Sequence, residues 1–331
     1  AHSVHTVQLY SDMTTRDLLQ RRVTNEAGDT VWQCTALMQA AKDGGVAILD
    51  GVDKLKPGCL AYLQRLLVDG EVALYDGGIF KTQEEFDLLR QKLQCSEEEL
   101  NAQKIYKVHK SFRVIALASS SAGLKWLQHE SQCMFSYHYI RPLSLEETKA
   151  VAKGLNPALD EGVLDSLMRF SEALSDAADR DTTLHPLSLR QILRIARHLA
   201  LHPKEVRSPI AQALMYPFLP LFHQQKLDKL FEMAGLPVTP AVGSLEIRTN
   251  DEQRGQELVR TLSIGDTSLS LPRMDVNDSI AHTLVPSVLF YDNPKHIETL
   301  QNLMKSYKAG DHLLLIGNQG VGKNKLADRL L

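Results

Sequence analysis

Residues 317–323 read Gly-Asn-Gln-Gly-Val-Gly-Lys and fit the pattern G-x-x-x-x-G-K. Glycines let the backbone turn tightly enough for its N–H groups to face phosphate oxygens, and the final lysine reaches the β- and γ-phosphates. The pattern therefore predicts a phosphate-binding loop. Its candidate residues are Gly317, Asn318, Gln319, Gly320, Val321, Gly322, Lys323 and Asn324.

The flanks of this loop have the order that such a site requires. Residues 313–316 form an apolar run that predicts a buried strand, and residues 324–331 predict the start of a helix. The N-terminus of that helix would add partial positive charge. A glycine-rich turn before an ordinary helix is the alternative. Asn324 stands where Ser or Thr usually binds Mg²⁺, and the sequence leaves open whether its amide oxygen coordinates a cation.

A second candidate site lies in the first half of the chain. Residues 46–50 are four apolar residues followed by Asp50, the pattern of a buried strand that ends in a Mg²⁺ ligand. A structural strand ending in a turn aspartate is the alternative. Gly51 occupies the position at which a glutamate would polarise the attacking water, and Asp53 is a shorter acid two positions further on.

Two further polar residues could complete this site. Ser119 lies at the end of the apolar run 112–121, where it could contact the γ-phosphate, and Arg190 follows Ser188 at a predicted helix start, where it could reach a phosphate. Their structural alternatives are a strand-end turn residue and a solvent-exposed helical arginine. Asp50, Ser119 and Arg190 are thus the candidate catalytic residues, with Asp50 also the candidate metal ligand.

The elements that must position these residues alternate between strands and helices. The pattern predicts a strand at 4–10, helices at 11–22, 35–45 and 56–70, and hairpins at 23–33 and 71–80. A charged stretch at 81–104 predicts an exposed helical insertion. Residues 143–235 are mostly helical in pattern, and short β-like runs fill 237–285 before a last helix at 296–310.

Composition limits the class of protein. The 331 residues are 44% apolar and 23% charged with a net charge of −3, which suits a soluble globular chain and does not favour nucleic acid as a partner. The four cysteines are widely spaced and predict reduced intracellular thiols. The histidines lack the spacing of a metal hydrolase, and no apolar run approaches the roughly 20 residues of a membrane span.

These motifs and their order resemble the MoxR, dynein and midasin branch of the AAA+ ATPases. The glycine loop and residues 43–78 are also similar to members of that branch that carry a von Willebrand factor A domain. The resemblance implies an α/β P-loop NTPase with a parallel-sheet core and a helical lid. It also implies ATP or ADP with Mg²⁺, other AAA+ modules of the same or neighbouring chains in a ring, an unknown protein client, and the mitochondrial matrix.

The resemblance divides the chain into parts of two modules. We expect an AAA+ core at 1–142, a helical lid at 143–236, a β-rich linker at 237–285 and the start of a second core at 286–331. Asp50, Ser119 and Arg190 would then serve a site whose loop precedes Ala1, while Lys323 would serve a site whose acidic strand follows Leu331. On this division we expect the chain alone to be a poor ATPase.

Three functional interpretations compete, and the positions at which this sequence departs from the family pattern help to separate them. A nucleotide-bound scaffold is favoured by Gly51 in place of glutamate, by Asn324, and by Met134 and Phe135 where relatives carry an arginine that reaches a neighbouring site; Arg141 comes several residues late. Lys323 in its loop favours an ATP-driven remodelling machine. A P-loop kinase or small GTPase fits poorly, because neither places a core and lid before the loop.

Overall fold

The chain divides into two compact units, residues 1–140 and 141–331. The computed structural model describes residues 3–119, 123, 126–181, 183–236, 245–254, 257–272 and 289–330. Predictions for residues 120–121, 237–244, 273–285 and Leu331 lie outside this part. The finer boundaries at 142, 236 and 285 stay predictions.

A parallel three-stranded sheet forms the centre of the first unit. Strands β1 (Val4–Gln8), β4 (Val46–Asp50) and β8 (Arg113–Leu117) lie in the order β1-β4-β8, with Gln8, Asp50 and Leu117 in register at their carboxyl ends. Such pairing requires long crossover connections, which the intervening elements supply. The predicted strands at 4–10 and 46–50 are therefore confirmed.

The crossovers carry two small β structures and four helices. Their bounds are α1 (Thr15–Leu19), the hairpin of β2 (Gln20–Thr24) and β3 (Thr30–Cys34), α2 (Ala36–Asp43), β5 (Val72–Ala73), β6 (Ile79–Lys81), α3 (Gln83–Leu93), α4 (Glu97–Ala102) and β7 (Ile105–Lys107). The predicted hairpins and the helical insertion at 81–104 are confirmed. The predicted helix at 11–22 is only the short α1, because its second half pairs as β2. A last short helix, α5 (His129–Gln132), follows β8.

The predicted α-helix at 56–70 is wrong in type. Residues 60–63 form a 3₁₀ turn and residues 65–69 a π turn, and Gly70 ends the segment in the left-handed conformation. Leu60, Leu63 and Leu66 are the buried residues. Leu60 and Leu63 lie in the 3₁₀ turn, whose three-residue period places them on one face, while Leu66 lies in the π turn.

The strand predicted as buried at 112–121 is β8, and it is half exposed. Ile115 and Leu117 are 50% and 43% exposed. The cause is the position of β8 at the edge of the three-stranded sheet, with β4 as its partner within the described residues.

Five helices begin the second unit. They are α6 (Leu145–Leu155), α7 (Glu161–Arg180), α8 (Leu189–Leu201), α9 (Arg207–Ala213) and α10 (Leu221–Met233). Ser144 and Ser188 begin α6 and α8 as reciprocal caps with Glu147 and Gln191, which satisfies N–H groups that a helix leaves unpaired. Apolar faces meet in one core, where the rings of Phe170 and Phe231 stack with centroids 4.5 Å apart.

The rest of the second unit is a sheet and two helices. Strands β9 (Ile247–Arg254), β10 (Glu257–Ile264) and β11 (Thr267–Pro272) pair antiparallel in the order β11-β10-β9. Helix α11 (Pro294–Lys308) and helix α12 (Lys323–Leu330) share a small core with this sheet. The predicted β runs and both helices are confirmed.

The strand predicted at 313–316 is wrong. The segment 312–316 is irregular, and Leu314 and Ile316 are 82% and 50% exposed. A strand is stabilised by hydrogen bonds to a neighbouring strand, and this segment has none among the described residues.

Truncating the stacked pair tests the helical core. We expect Phe231→Ala to destabilise the helical unit by about 3–5 kcal/mol, because a fully buried ring leaves a cavity. Urea denaturation followed by circular dichroism measures this. The control Phe222→Ala removes a ring that is 61% exposed and should cost below about 1 kcal/mol. Equal losses in the two variants would contradict the assigned core.

Candidate functional site

The glycine loop takes the backbone conformations that its glycines permit. Gly320 and Gly322 have φ of 85° and 84°, a region that favours glycine. Helix α12 begins at Lys323, and Leu326 N donates to Gly322 O at 2.9 Å. Leu326 is buried in the small core of the second unit, so this contact anchors the loop to the fold. Loop and helix thus follow one another as a phosphate site requires.

Lys323 reaches back across the loop that precedes it. Its Nζ donates to the carbonyl oxygens of Gly317 at 2.8 Å and Asn318 at 2.7 Å. These neutral acceptors hold the ammonium over the loop, where phosphate oxygens could replace them as charge-assisted partners. The lysine is thereby placed before any ligand arrives.

The loop borders an open cavity of about 770 Å³. Its lining residues are His296, Gln319, Gly320, Val321, Gly322, Lys323, Asn324 and Lys325. The lining is therefore free of acidic side chains within the described part of the chain and carries two lysines. This charge fits a polyphosphate, and the exposed amide of Asn324 at the start of α12 offers the oxygen donor that Mg²⁺ prefers.

The candidate residues of the first unit gather at the carboxyl end of its parallel sheet. Asp50 is the last residue of β4, and Ser119 follows β8 by two residues. Gly51 N donates to Leu117 O at 3.0 Å, which continues the β4–β8 pairing past Asp50. The oxygen ligands of Asp50, Asp53 and Ser119 are of the kind that suits Mg²⁺.

Asp53 contacts the end of β8 directly, which its position in the sequence did not indicate. Its Oδ1 accepts a hydrogen bond from the backbone N of Ser119 at 3.2 Å, so it connects the turn after β4 to the end of β8. The sequence signal for this role was weak, because the two residues are 66 positions apart.

The backbone conformation at Gly51 itself favours glycine over glutamate. It is buried and has φ of 90° and ψ of 40°, a left-handed conformation that L side chains rarely adopt. A Cβ there would lie 3.1 Å from the Lys54 side chain, which is flexible, so the backbone angle is the main obstacle. The backbone of this turn therefore favours glycine, and a glutamate at this position would strain the backbone or change the turn.

Arg190 is the second residue of α8 in the other unit. It is exposed, just after the Ser188 cap, and no ion pair holds it within the described residues. Its guanidinium is therefore available to an anion. The structure brings Asp50, Asp53 and Ser119 together, whereas Arg190 and Lys323 belong to the second unit.

The region expected to supply an activating arginine does not do so. Met134 and Phe135 pack against the core of the first unit, and Arg141 pairs with Glu147 at 3.0 Å. The apolar surroundings of Met134 and Phe135 suit these side chains better than they would suit the expected arginine.

A parallel sheet with an acid and a hydroxyl at adjacent carboxyl ends is characteristic of the AAA class of P-loop NTPases. Residues 1–132 match the AAA domain family, dynein-related subfamily. The AAA+ resemblance and α/β P-loop NTPase fold are therefore confirmed. The second module stays a prediction.

One relative is similar along the whole chain. Von Willebrand factor A domain-containing protein 8 of Mus musculus is 37% identical over 337 residues, which cover 100% of this chain and 17% of the mouse protein. The chain thus spans 17% of the length of that relative.

A solved structure of a proposed ATPase from Cytophaga hutchinsonii covers 69% of this chain and 76% of its own, with 9% identity. Its TM-score is 0.27, so it carries no argument here.

Within the described part of the chain, no helix is long and apolar enough to cross a membrane. No group of three or more His, Cys, Asp or Glu side chains in this part could hold a metal ion by itself.

Substitution at Gly51 tests the constraint on the turn. We expect Gly51→Glu and Gly51→Ala to destabilise the first unit by about 1–2 kcal/mol, because both force an L residue into a left-handed conformation. Denaturant unfolding measures the loss. Gly51→Asn should lose less, since asparagine tolerates that region better. Unchanged stability in Gly51→Ala would show that the turn has no such requirement.

Proposed function

We propose that this chain is part of a multi-module AAA+ ATPase and contributes to two ATP sites. The observation that carries the proposal is the ammonium of Lys323, held across a glycine loop beside a cavity whose described lining residues include no acid. The family match of residues 1–132 supports it independently. ATP or ADP with Mg²⁺ is the ligand that suits these groups.

In the site at the end of the chain, each loop residue has a proposed role. Gly317, Asn318, Gln319, Gly320, Val321 and Gly322 surround the phosphates with backbone. Lys323 binds the β- and γ-phosphate oxygens, exchanging its two carbonyl partners for charged ones. Asn324 takes the position next to the metal, where its amide oxygen replaces the usual hydroxyl.

In the site of the first unit, Asp50 is the proposed Mg²⁺ ligand and Ser119 the proposed contact to the γ-phosphate. Arg190 of the lid is the proposed phosphate-binding arginine. Gly51 cannot polarise water, and loss of a general base typically costs 10²–10⁴-fold in rate. This site therefore binds nucleotide and hydrolyses it slowly. Asp53 holds the Ser119 backbone.

In the longer protein, we propose that hydrolysis at competent sites moves the lids and remodels a protein partner within a ring of modules. We further propose the mitochondrial matrix as its location, on the family resemblance. Import of a tagged full-length protein into mitochondria would test the location.

A second candidate function is a non-hydrolysing scaffold. Gly51, Asn324 and the apolar side chains of Met134 and Phe135 favour it, because each replaces a group that promotes hydrolysis. Nucleotide bound to the folded modules would then stabilise the ring by mass action. The two functions differ in turnover but not in binding, so steady-state hydrolysis by the longer protein separates them.

The role of Lys323 is tested by binding. We expect Lys323→Ala to weaken binding of fluorescent Mg·ADP by roughly 10- to 100-fold, the loss typical of charge-assisted hydrogen bonds. Fluorescence titration of the 331-residue chain measures it. Lys308→Ala is the matched control, because this lysine of α11 is not among the residues that line the cavity and its Nζ donates to Ser268 O at 3.4 Å. Wild-type affinity in Lys323→Ala would overturn the assignment.

A further inference from the structure

The last turns of α8 hold the turn that precedes the glycine loop. Arg197 Nη1 donates to Ala309 O at 3.2 Å, and His198 Nε2 lies 2.7 Å from Asp311 Oδ2. The side chains of His198 and Asp311 are 8% and 16% exposed, so this contact is largely shielded from water. Polar contacts of this kind are costly to break on one side only.

The same turn is held from the other direction by α11. Gly310 has φ of 79° and its N donates to Tyr307 O at 2.9 Å, while Asp311 N donates to Ser306 O at 3.0 Å. These bonds close the C-terminus of α11 and direct the chain away from it. Asp311 is thus fixed through its backbone by one helix and through its side chain by another.

The segment between this turn and the loop has little support of its own. Residues 312–316 form no strand within the described residues, and only Leu315 of the segment packs against the small core of the second unit. The position of Gly317 therefore depends on the two fixed ends, the turn at 309–311 and helix α12. A displacement of Asp311 would therefore also displace the glycine loop that begins at Gly317.

A neighbouring ion pair joins α11 to the turn between α8 and α9 without touching the loop segment. Lys305 of α11 is 5% exposed, and its Nζ lies 2.6 Å from Glu205 Oε1 and 3.6 Å from Asp266 Oδ1. Burial raises the pKa of the Asp266 carboxyl, but the charge of Lys305 and the hydrogen bond from Thr267, with smaller contributions, together outweigh burial and lower that pKa. This pair provides a matched comparison for His198 and Asp311.

We propose that Arg197 and His198 are positioning residues for the phosphate-binding loop, so that the lid helix sets the affinity of the loop for nucleotide phosphate. The proposal rests on the proposed function of Lys323. Arg190 lies in the first turn of the same helix, so one helix carries a proposed phosphate contact at its start and the anchor of a second phosphate site near its end. The recognised ligand is the diphosphate of a nucleotide.

Two measurements on the 331-residue chain test the proposal. Hydrogen exchange by mass spectrometry should show faster exchange at residues 312–322 in His198→Ala and Asp311→Ala, with β10 and β11 unchanged. Fluorescent Mg·ADP should bind roughly 5- to 10-fold more weakly to each variant. The double variant should be no weaker than either single one, because both remove the same contact. Asp311→Asn retains an acceptor oxygen and should restore most of the affinity.

The control is Glu205→Gln. It should lower the melting temperature but leave both the exchange of residues 312–322 and the Mg·ADP affinity at the wild-type level. If His198→Ala also shows wild-type exchange at 312–322, the proposal is overturned. If Lys323→Ala binds Mg·ADP normally, the proposed function fails instead, and the exchange data still decide whether the turn positions the loop. Should His198→Ala fail to fold, Asp311→Ala compared with Asp311→Asn gives the same test, because the first removes the contact and the second retains an acceptor.

Discussion

Parallel pairing of β4 between β1 and β8 is the constraint on which the first unit depends. Because all three strands run in one direction, their carboxyl ends meet at one edge, and Asp50 and Ser119 come to the same edge although they are far apart in sequence. The crossovers that such pairing requires account for most of the remaining elements of this unit. Their helices and hairpins therefore follow from the sheet.

The sheet also explains why Gly51 matters to the backbone. Its N–H still pairs with Leu117 O, while its left-handed φ turns the chain sharply away from the sheet. The turn brings Asp53 back to the backbone of Ser119. A glutamate next to Asp50 would need a different turn. The left-handed backbone at Gly51 therefore accounts both for the absence of a glutamate base at this position and for the contact of Asp53 with Ser119. The proposed slow hydrolysis then belongs to the architecture of the turn as well as to the identity of one residue.

The sequence predicted the elements whose signals are local. The strand at 46–50, the helix at 35–45, the hairpin at 71–80 and the helix start after Ser188 all depend on neighbours within a few positions, and the structure has each of them. It did not predict features that depend on distant partners. An apolar run at 313–316 resembles a strand locally, but a strand also needs a paired neighbour. Likewise, the contact of Asp53 with Ser119 could not be predicted without knowing that β4 and β8 are adjacent.

The glycine loop illustrates the same division between local and distant determinants. Its conformation follows from Gly320, Gly322 and Lys323 alone, and the pattern G-x-x-x-x-G-K was sufficient to predict it. Its placement, in contrast, depends on Asp311, whose partner His198 lies 113 positions earlier, in helix α8. A motif of seven residues can specify how phosphate is bound, but only the surrounding fold can hold that motif in place. Under the proposed function, the lid that follows one nucleotide site is therefore part of the structure of the next.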